Sequence, residues 1–268
     1  MSLTGKTKAS TYKDLLQMNN SNSGVDGTLR NIVDGEGTES CMDLSNNGLH
    51  IQPQVGDITA VIRVKDLAGD TLFNVDSSND LVKAGVGQNV VNTQYAYFGV
   101  NYTDDSTFVS NTHYPIPFSA SNGGLSTTND VDFGTGTDPA TTFTTANTDT
   151  QYAAQIVPMM WRVPDNITID EIKHIEGADA ATGDTTRMHL MSYTFNSGAT
   201  GALTSGALVA HTTADNTNAG NEQPYLKDWT IDITDGDVDA GKVLLCFFRS
   251  DSVNSDYSIS VSIKYHLR

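Results

Sequence analysis

Basic residues are scarce in this chain. Its 15 Lys and Arg stand against 32 Asp and Glu, giving a net charge of −17 and a pI near 4.4. A surface of that sign repels a polyanion, so nucleic-acid binding is not expected. Long apolar runs are also missing. The longest strongly apolar block, Val243 to Phe248 (VLLCFF), is far too short to span a bilayer, which takes roughly 20 apolar residues in a helix. The opening MSLTGKTKAS has no apolar stretch of the kind a secretory signal needs, so a soluble protein made in a cytoplasm is expected. The two cysteines, Cys41 and Cys246, lie far apart, which excludes a disulfide framework. Both are expected as free thiols, Cys246 within a strand core.

Catalytic signatures are lacking as well. His50, His113, His174, His189, His211 and His266 form neither HExxH nor a Cys/His zinc spacing. No GxSxG elbow is present, and Gly85-Val86-Gly87 has no third glycine to complete a dinucleotide loop. Most carboxylates sit with Asn and Gly in turn clusters, where they bond nearby backbone and need no catalytic role. No enzyme activity and no cofactor are expected. Asp235, Asp237 and Asp239 in DGDVDAG begin like an EF-hand loop and are the candidate calcium ligands. The pattern then fails: Gly241 falls at the seventh place of the loop, and Cys246 stands at the twelfth, where a bidentate Glu is required.

What is present is a long series of short strand signals. The 268 residues suffice for one large or two modest domains, and two are expected. Thr11 with Asp14 approximates a capping box, and Tyr12, Leu15 and Leu16 follow at helical spacing, predicting a helix of about two turns. So short a helix is marginal unless its apolar face packs elsewhere. Turn-forming residues then enclose Leu29, Ile32 and Val33, too few apolar groups to fold alone. Residues 1–55 thus read as an extended arm that docks through Tyr12, Leu15, Leu16, Leu29, Ile32 and Val33. It ends in a hairpin whose turn is Asn46-Asn47-Gly48.

Residues 56–118 read as short strands around 58–65, 71–75 and 81–86, separated by polar turns and too short to bury a large face in one chain. Tyr95, Tyr97, Phe98, Tyr102, Phe108, Tyr114 and Phe118 make the end of this block aromatic-rich. Ordinary sheet packing explains them better than a sugar-binding surface. Residues 119–150 carry no Lys or Arg and read as a Thr/Asn/Asp/Gly-rich linker, with Phe133 and Phe143 able to pin it to a surface. Residues 151–268 hold seven strand candidates, at 155–163, 167–175, 187–195, 207–212, 226–233, 242–249 and 257–266. In the last, Tyr257, Ile259, Val261, Ile263 and Tyr265 alternate with polar residues. The expected fold is all-β: an N-terminal arm with a short helix, a short-strand middle region, and a C-terminal β-sandwich of jelly-roll type.

The run DLLQMNNSNSGVDGTLRNIVDGEGTESCMDLS resembles the N-terminal segments of tail-fibre and related virion structural proteins of tailed bacteriophages, particularly marine ones. IRVKDLAGDTLFNVDSSNDLVKAG is similar to the short-strand repeats of phage fibre shafts. DGDVDAGKVLLCFFRSDSVNSDYSISVSIKYH resembles the end of their C-terminal jelly rolls. The resemblance implies a homotrimeric fibre, knob or head-fibre component located in the virion. Its partners would be other virion proteins through residues 1–50 and a host surface glycan or protein through the sandwich. The alternative from another class is a carbohydrate-binding module that uses Trp161, Trp229 or the tyrosine-rich stretch as its platform.

Overall fold

The structure is a computed structural model, and it describes residues 15–21, 23–85, 87–102, 109–119, 131–144, 155–179, 184–195, 198, 202–213, 224–232, 236–251 and 256–268. The chain divides into two compact units, Met1–Val91 and Asn92–Arg268. Among the described residues both are β-structure, apart from a short helical segment at 155–159 that ends in the 3-10 turn Val157–Met159.

The first unit holds two four-stranded antiparallel sheets. One is built from β1 (Gln17–Met18), β2 (Arg30–Val33), β3 (Glu39–Leu44) and β4 (Leu49–Ile51), paired in chain order. The other consists of β5 (Ile62–Lys65), β6 (Thr71–Asp76), β7 (Leu81–Ala84) and β8 (Asn89–Val90), again in order. The β3–β4 hairpin forms where the Asn-Gly pair predicts it, but by other means. Ser45 Oγ accepts from the backbone N–H groups of Asn47 and Gly48, so the turn closes with neither residue at positive φ.

The expected helix is not found at the positions that can be checked. Leu15 and Leu16 have no regular structure, and Gln17–Met18 pair with Val33 and Ile32 instead; the capping position Thr11 and Asp14 lie outside the described residues. Two helical turns return few hydrogen bonds for a costly nucleus, whereas pairing with a strand already held by β3 needs none.

The second unit is a jelly roll. Its eight principal strands are β9 (Thr93–Tyr102), β10 (Tyr114–Ile116), β13 (Ile167–Asp179), β14 (Thr186–Thr194), β15 (Ala202–His211), β16 (Tyr225–Asp228), β19 (Val243–Ser250) and β20 (Asp256–Leu267). Short strands β11 (Phe143–Thr144), β12 (Trp161–Arg162), β17 (Thr230–Ile231) and β18 (Asp237–Val238) lie between them in the sequence. One sheet has the order β16-β13-β20-β9, the other β10-β19-β14-β15-β11, with every pairing antiparallel. Counted along the chain, the principal strands run first-eighth-third-sixth in one sheet and second-seventh-fourth-fifth in the other. Those are the two nested Greek keys of a jelly roll.

Alternation explains the core between the sheets. Phe98 and Val100 on β9, Ile172 on β13, Val261 and Ile263 on β20, and Leu244, Cys246 and Phe248 on β19 all point inward and are buried. The other face of β19, Val243, Leu245 and Phe247, is buried too. It packs with Met191, Tyr193 and Leu203 beneath Val131, Phe133, Ile156 and Met159. A strand covered on both faces needs no polar alternation, which accounts for the uninterrupted VLLCFF block.

Two boundaries move as a result. The aromatic stretch assigned to the middle region belongs to the sandwich, because β9 pairs along its whole length with β20 at the far end of the sequence. The described part of the stretch read as a linker, residues 131–144, is a strap packed on the sheet, with Phe133 stacked on Phe143 at 4.9 Å between ring centroids. The strand candidate at 155–163 is interrupted. Pro158 lies in the 3-10 turn, and only Trp161–Arg162 join a sheet.

Candidate functional site

In the first unit the register of β5, β6 and β7 builds one apolar face. Ile62, Val75 and Val82 form one cross-strand row, and Val64, Phe73 and Ala84 form the next. Such a face is normally covered by a second layer. Here Val64 is 49% and Val82 38% exposed, and the other four residues are half-buried. Val33 is the single buried hydrophobic residue among the described residues before Asn92. Leu49, Val55, Ile58, Leu67 and Leu72 add to the exposed apolar surface.

The opposite face of that sheet carries the buried polar residues Asn74 and Asp76. Asp76 is buried, receives hydrogen bonds from the backbone and side chain of Asn79, and lies 3.6 Å from Lys83 Nζ. The Asn79 side-chain bond is the main reason its carboxyl is held below the usual value.

Of the predicted arm residues, Tyr12 lies outside the described residues. Leu15 and Leu16 are exposed, Leu29 is at the edge of exposure, Ile32 is half-buried, and Val33, paired with Gln17, is buried. The five described residues are not part of either hydrophobic core cluster. The face at Ile62 and Val64 was not singled out, although the alternation over residues 58–65 carried its signal.

Both tryptophans are core residues, which corrects their reading as sugar platforms. Trp161 is 6% exposed, and its ring is stacked on Phe118 at 5.6 Å. Trp229 is 8% exposed, and its Nε1 donates to His174 Nδ1 at 2.9 Å. That bond leaves the His174 proton on Nε2, facing the buried Glu176 carboxylate at 3.4 Å, which also accepts from Thr186 Oγ1. An indole whose N–H must reach a partner is anchored within the sandwich and has no free face to offer a ligand. Among the described residues the exposed aromatics are instead Phe118, beside Trp161, and Tyr95 and Tyr97, which alternate with buried Ala96 and Phe98 on β9. Along the sheet the two tyrosines neighbour Lys264 and Ser262 in the paired register.

The candidate calcium loop is tied up by the chain's last residue. Arg268 places NH1 3.0 Å from Asp237 Oδ2 and NH2 3.1 Å from Asp239 Oδ1, while Thr168 Oγ1 donates to the other Asp237 oxygen at 2.6 Å. The guanidinium fork thus engages one oxygen of each carboxylate and supplies the positive charge beside them. Asp235 lies outside the described residues. Among the described residues, no group of three or more His, Cys, Asp or Glu is placed to hold a metal ion, and no helix is long and apolar enough to cross a membrane.

No family model and no curated protein matches this chain. Among solved structures, a chain from Desmodium yellow mottle tymovirus is similar at 11% identity and a TM-score of 0.21, over 65% of this chain and 87% of that one. A likeness with that TM-score carries no argument about role. The jelly roll itself serves capsid proteins and lectins alike, so the surfaces must decide.

Proposed function

We propose that this chain is a non-enzymatic structural component of a tailed-phage virion, a homotrimeric fibre, knob or head-fibre protein. Residues before Asn92 carry assembly and attachment, and the jelly roll is the displayed domain. The observation that carries the reading is the uncovered face of Ile62, Val64, Phe73, Val75, Val82 and Ala84. Strands that pair fully yet bury almost nothing gain a core when copies of the chain pool their faces, and the association also covers their edges. The resemblance of residues 6–51 and 62–85 to fibre arms and shafts supports the same reading, as does an acidic surface that disfavours nucleic acid.

Light scattering on the full chain and on a chain beginning at Asn92 tests this. A trimer that becomes a monomer on truncation is the expected result. Monomers in both cases sink the proposal.

The second reading, a carbohydrate-binding module, rests on Tyr95 and Tyr97. Their exposed rings stand beside the hydroxyl of Ser262 and the ammonium of Lys264, groups suited to a sugar's apolar face and its hydroxyls. A glycan array with the Asn92–Arg268 unit separates the readings: saturable binding by a monomer, abolished in Tyr95→Ala, favours the module.

A further inference from the structure

Three ring nitrogens beside β10 and on β14 have no hydrogen-bond partner. His113 and His189 are both 0% exposed, and their rings meet edge to face at 4.8 Å and 76°. Neither nitrogen of His189 is hydrogen-bonded, nor is Nε2 of His113. Buried polar atoms are usually paired, so three orphans in two touching side chains call for an explanation. Metal binding does not supply it, as the arrangement of metal-ligating groups among the described residues has shown.

The pair lies under the strap formed by residues 131–144. The His113 backbone N–H donates to the Gly134 carbonyl at 3.0 Å, its own carbonyl accepts from Phe133 N–H at 2.9 Å, and its Nδ1–H reaches the Gly134 carbonyl at 3.0 Å. Phe133 is thereby held against Phe247 at 4.7 Å and Tyr193 at 5.7 Å between ring centroids. Tyr193 in turn donates its hydroxyl to the Ala140 carbonyl at 2.8 Å.

We infer that the His113–His189 pair is an acid-sensitive latch, which holds residues 131–140 over the apolar outer face of β14 and β19 while neutral and frees them when protonated.

The charges around the pair give the sign. β14 places Arg187 beside it, β15 pairs His211 with His189, and β19 contributes Arg249, paired with Arg187 in the register. Arg187 and Arg249 oppose a new positive charge on either ring, and His113 and His211 oppose one on His189. Asp132 and Asp138, on the strap, have the favourable sign. Asp132 is exposed and its Oδ1 already accepts from the Gly134 N–H at 2.9 Å. Asp138 Oδ1 lies 3.5 Å from His189 Nε2, but its side chain is 45% exposed and it also faces Arg187 at 3.7 Å. A solvent-screened, shared carboxylate does not offset burial plus several cations.

Burial, the largest cause, pushes His113 down to about 4 and His189 to about 2, from an ordinary 6.5. With an open strap that restores the ordinary value, lowering the pH from 7.5 to 5.0 favours opening by about 30-fold per ring, several hundred-fold for the pair.

Hydrogen exchange of the intact chain at both pH values, corrected for the intrinsic rate, reads the opening directly at the Phe133 amide, whose N–H donates to the His113 carbonyl. The expected result is a loss of protection of several hundred-fold in peptides covering residues 131–140, with β13 and β20 unchanged. In His113→Gln and His189→Gln the loss shrinks to about 30-fold. Equal protection at the two pH values, or an undiminished loss in both variants, overturns the latch. Should the variants not fold, ring titration of the unaltered chain by NMR decides. Rings that stay neutral until the strap opens support the proposal, and two rings titrating near 6.5 with the strap closed overturn it.

Discussion

The two units are written in the same alphabet of strands and turns, yet they solve the problem of burial differently. On β6 the residues Phe73 and Val75 alternate with Asn74 and Asp76, and the apolar pair is left half-exposed while the polar pair is buried. On β20 the residues Ile259, Val261 and Ile263 alternate with Ser260 and Ser262, and the apolar set is fully buried. The pattern is the same and the outcome opposite. Alternation assigns a side chain to a face, but only a second layer turns that face into a core. In the jelly roll the chain supplies its own second layer through long-range pairing. Before Asn92 the strands pair with their sequence neighbours, and none of the described residues there supplies a second layer.

The largest effect expected from this contrast is in the jelly roll. Phe248 is fully buried and packs on Tyr257 at 4.7 Å, so Phe248→Ala should cost about 3–5 kcal/mol through lost contacts and a residual cavity. Chemical denaturation followed by tryptophan fluorescence reports on this unit, since both tryptophans lie within it. A loss below about 1 kcal/mol would mean that the core is far looser than the burial implies.

Acid is the next lever, and it too acts on the second unit. The folded chain holds His113 and His189 below 6.5, so it binds fewer protons than the unfolded chain once the pH drops past that value. Stability is therefore complete above about pH 6.5 and falls as the pH goes down, by about 2 kcal/mol per ring at pH 5. Urea midpoints at pH 7.5 and 5.0, with His189→Gln as control, check both the sign and the share of each ring.

A smaller loss is expected at Gly206, where the strap meets β15. A Cβ there would lie 2.7 Å from Tyr193 Cε1 and 2.8 Å from Thr141 Cα, and the Gly206 N–H donates to the Thr141 carbonyl. Gly206→Ala should cost about 1–3 kcal/mol, because backbone must give way as well as a ring. Thermal unfolding that left the variant equal to the parent would show the strap to be loosely held.

How much of this was legible follows from the range of the interactions. The β20 alternation and the β3–β4 turn are local, and they stand where the sequence places them. The packing of β9 against β20 joins residues near 100 to residues near 260, and no local pattern contains it. The tryptophans were misread for a related reason: residue type suggests a ligand platform, whereas burial depends on which layer closes over it. His113 and His189 were set aside for lacking a metal spacing. Their contact is created by β10 and β14 lying on either side of β19. At Leu15 and Leu16, the described end of the expected helix, no helix forms, because a capping signal over two turns is weaker than an available strand partner.

The smallest effect on folding should come from the exposed face of the first unit, and there it carries the most information. Val64 and Val82 sit in adjacent rows of that face, each more than a third exposed. In a free chain Val64→Ser with Val82→Ser should shift stability by no more than about 0.5 kcal/mol each, as surface changes do. If copies of the chain cover this face, the same pair removes buried apolar area from each contact. At ~25 cal/mol per Å², losing about 50 Å² at each valine weakens association by tens-fold per contact. Sedimentation at a series of concentrations reads the second effect, thermal unfolding followed by circular dichroism, which senses the strands of both units, reads the first, and tryptophan fluorescence serves as the control on the jelly roll. An unchanged jelly roll with weakened self-association would locate the missing second layer in neighbouring copies. Unchanged association would mean that these rows stay open to water, and the contrast between the units would then reflect tolerance of exposure, not assembly.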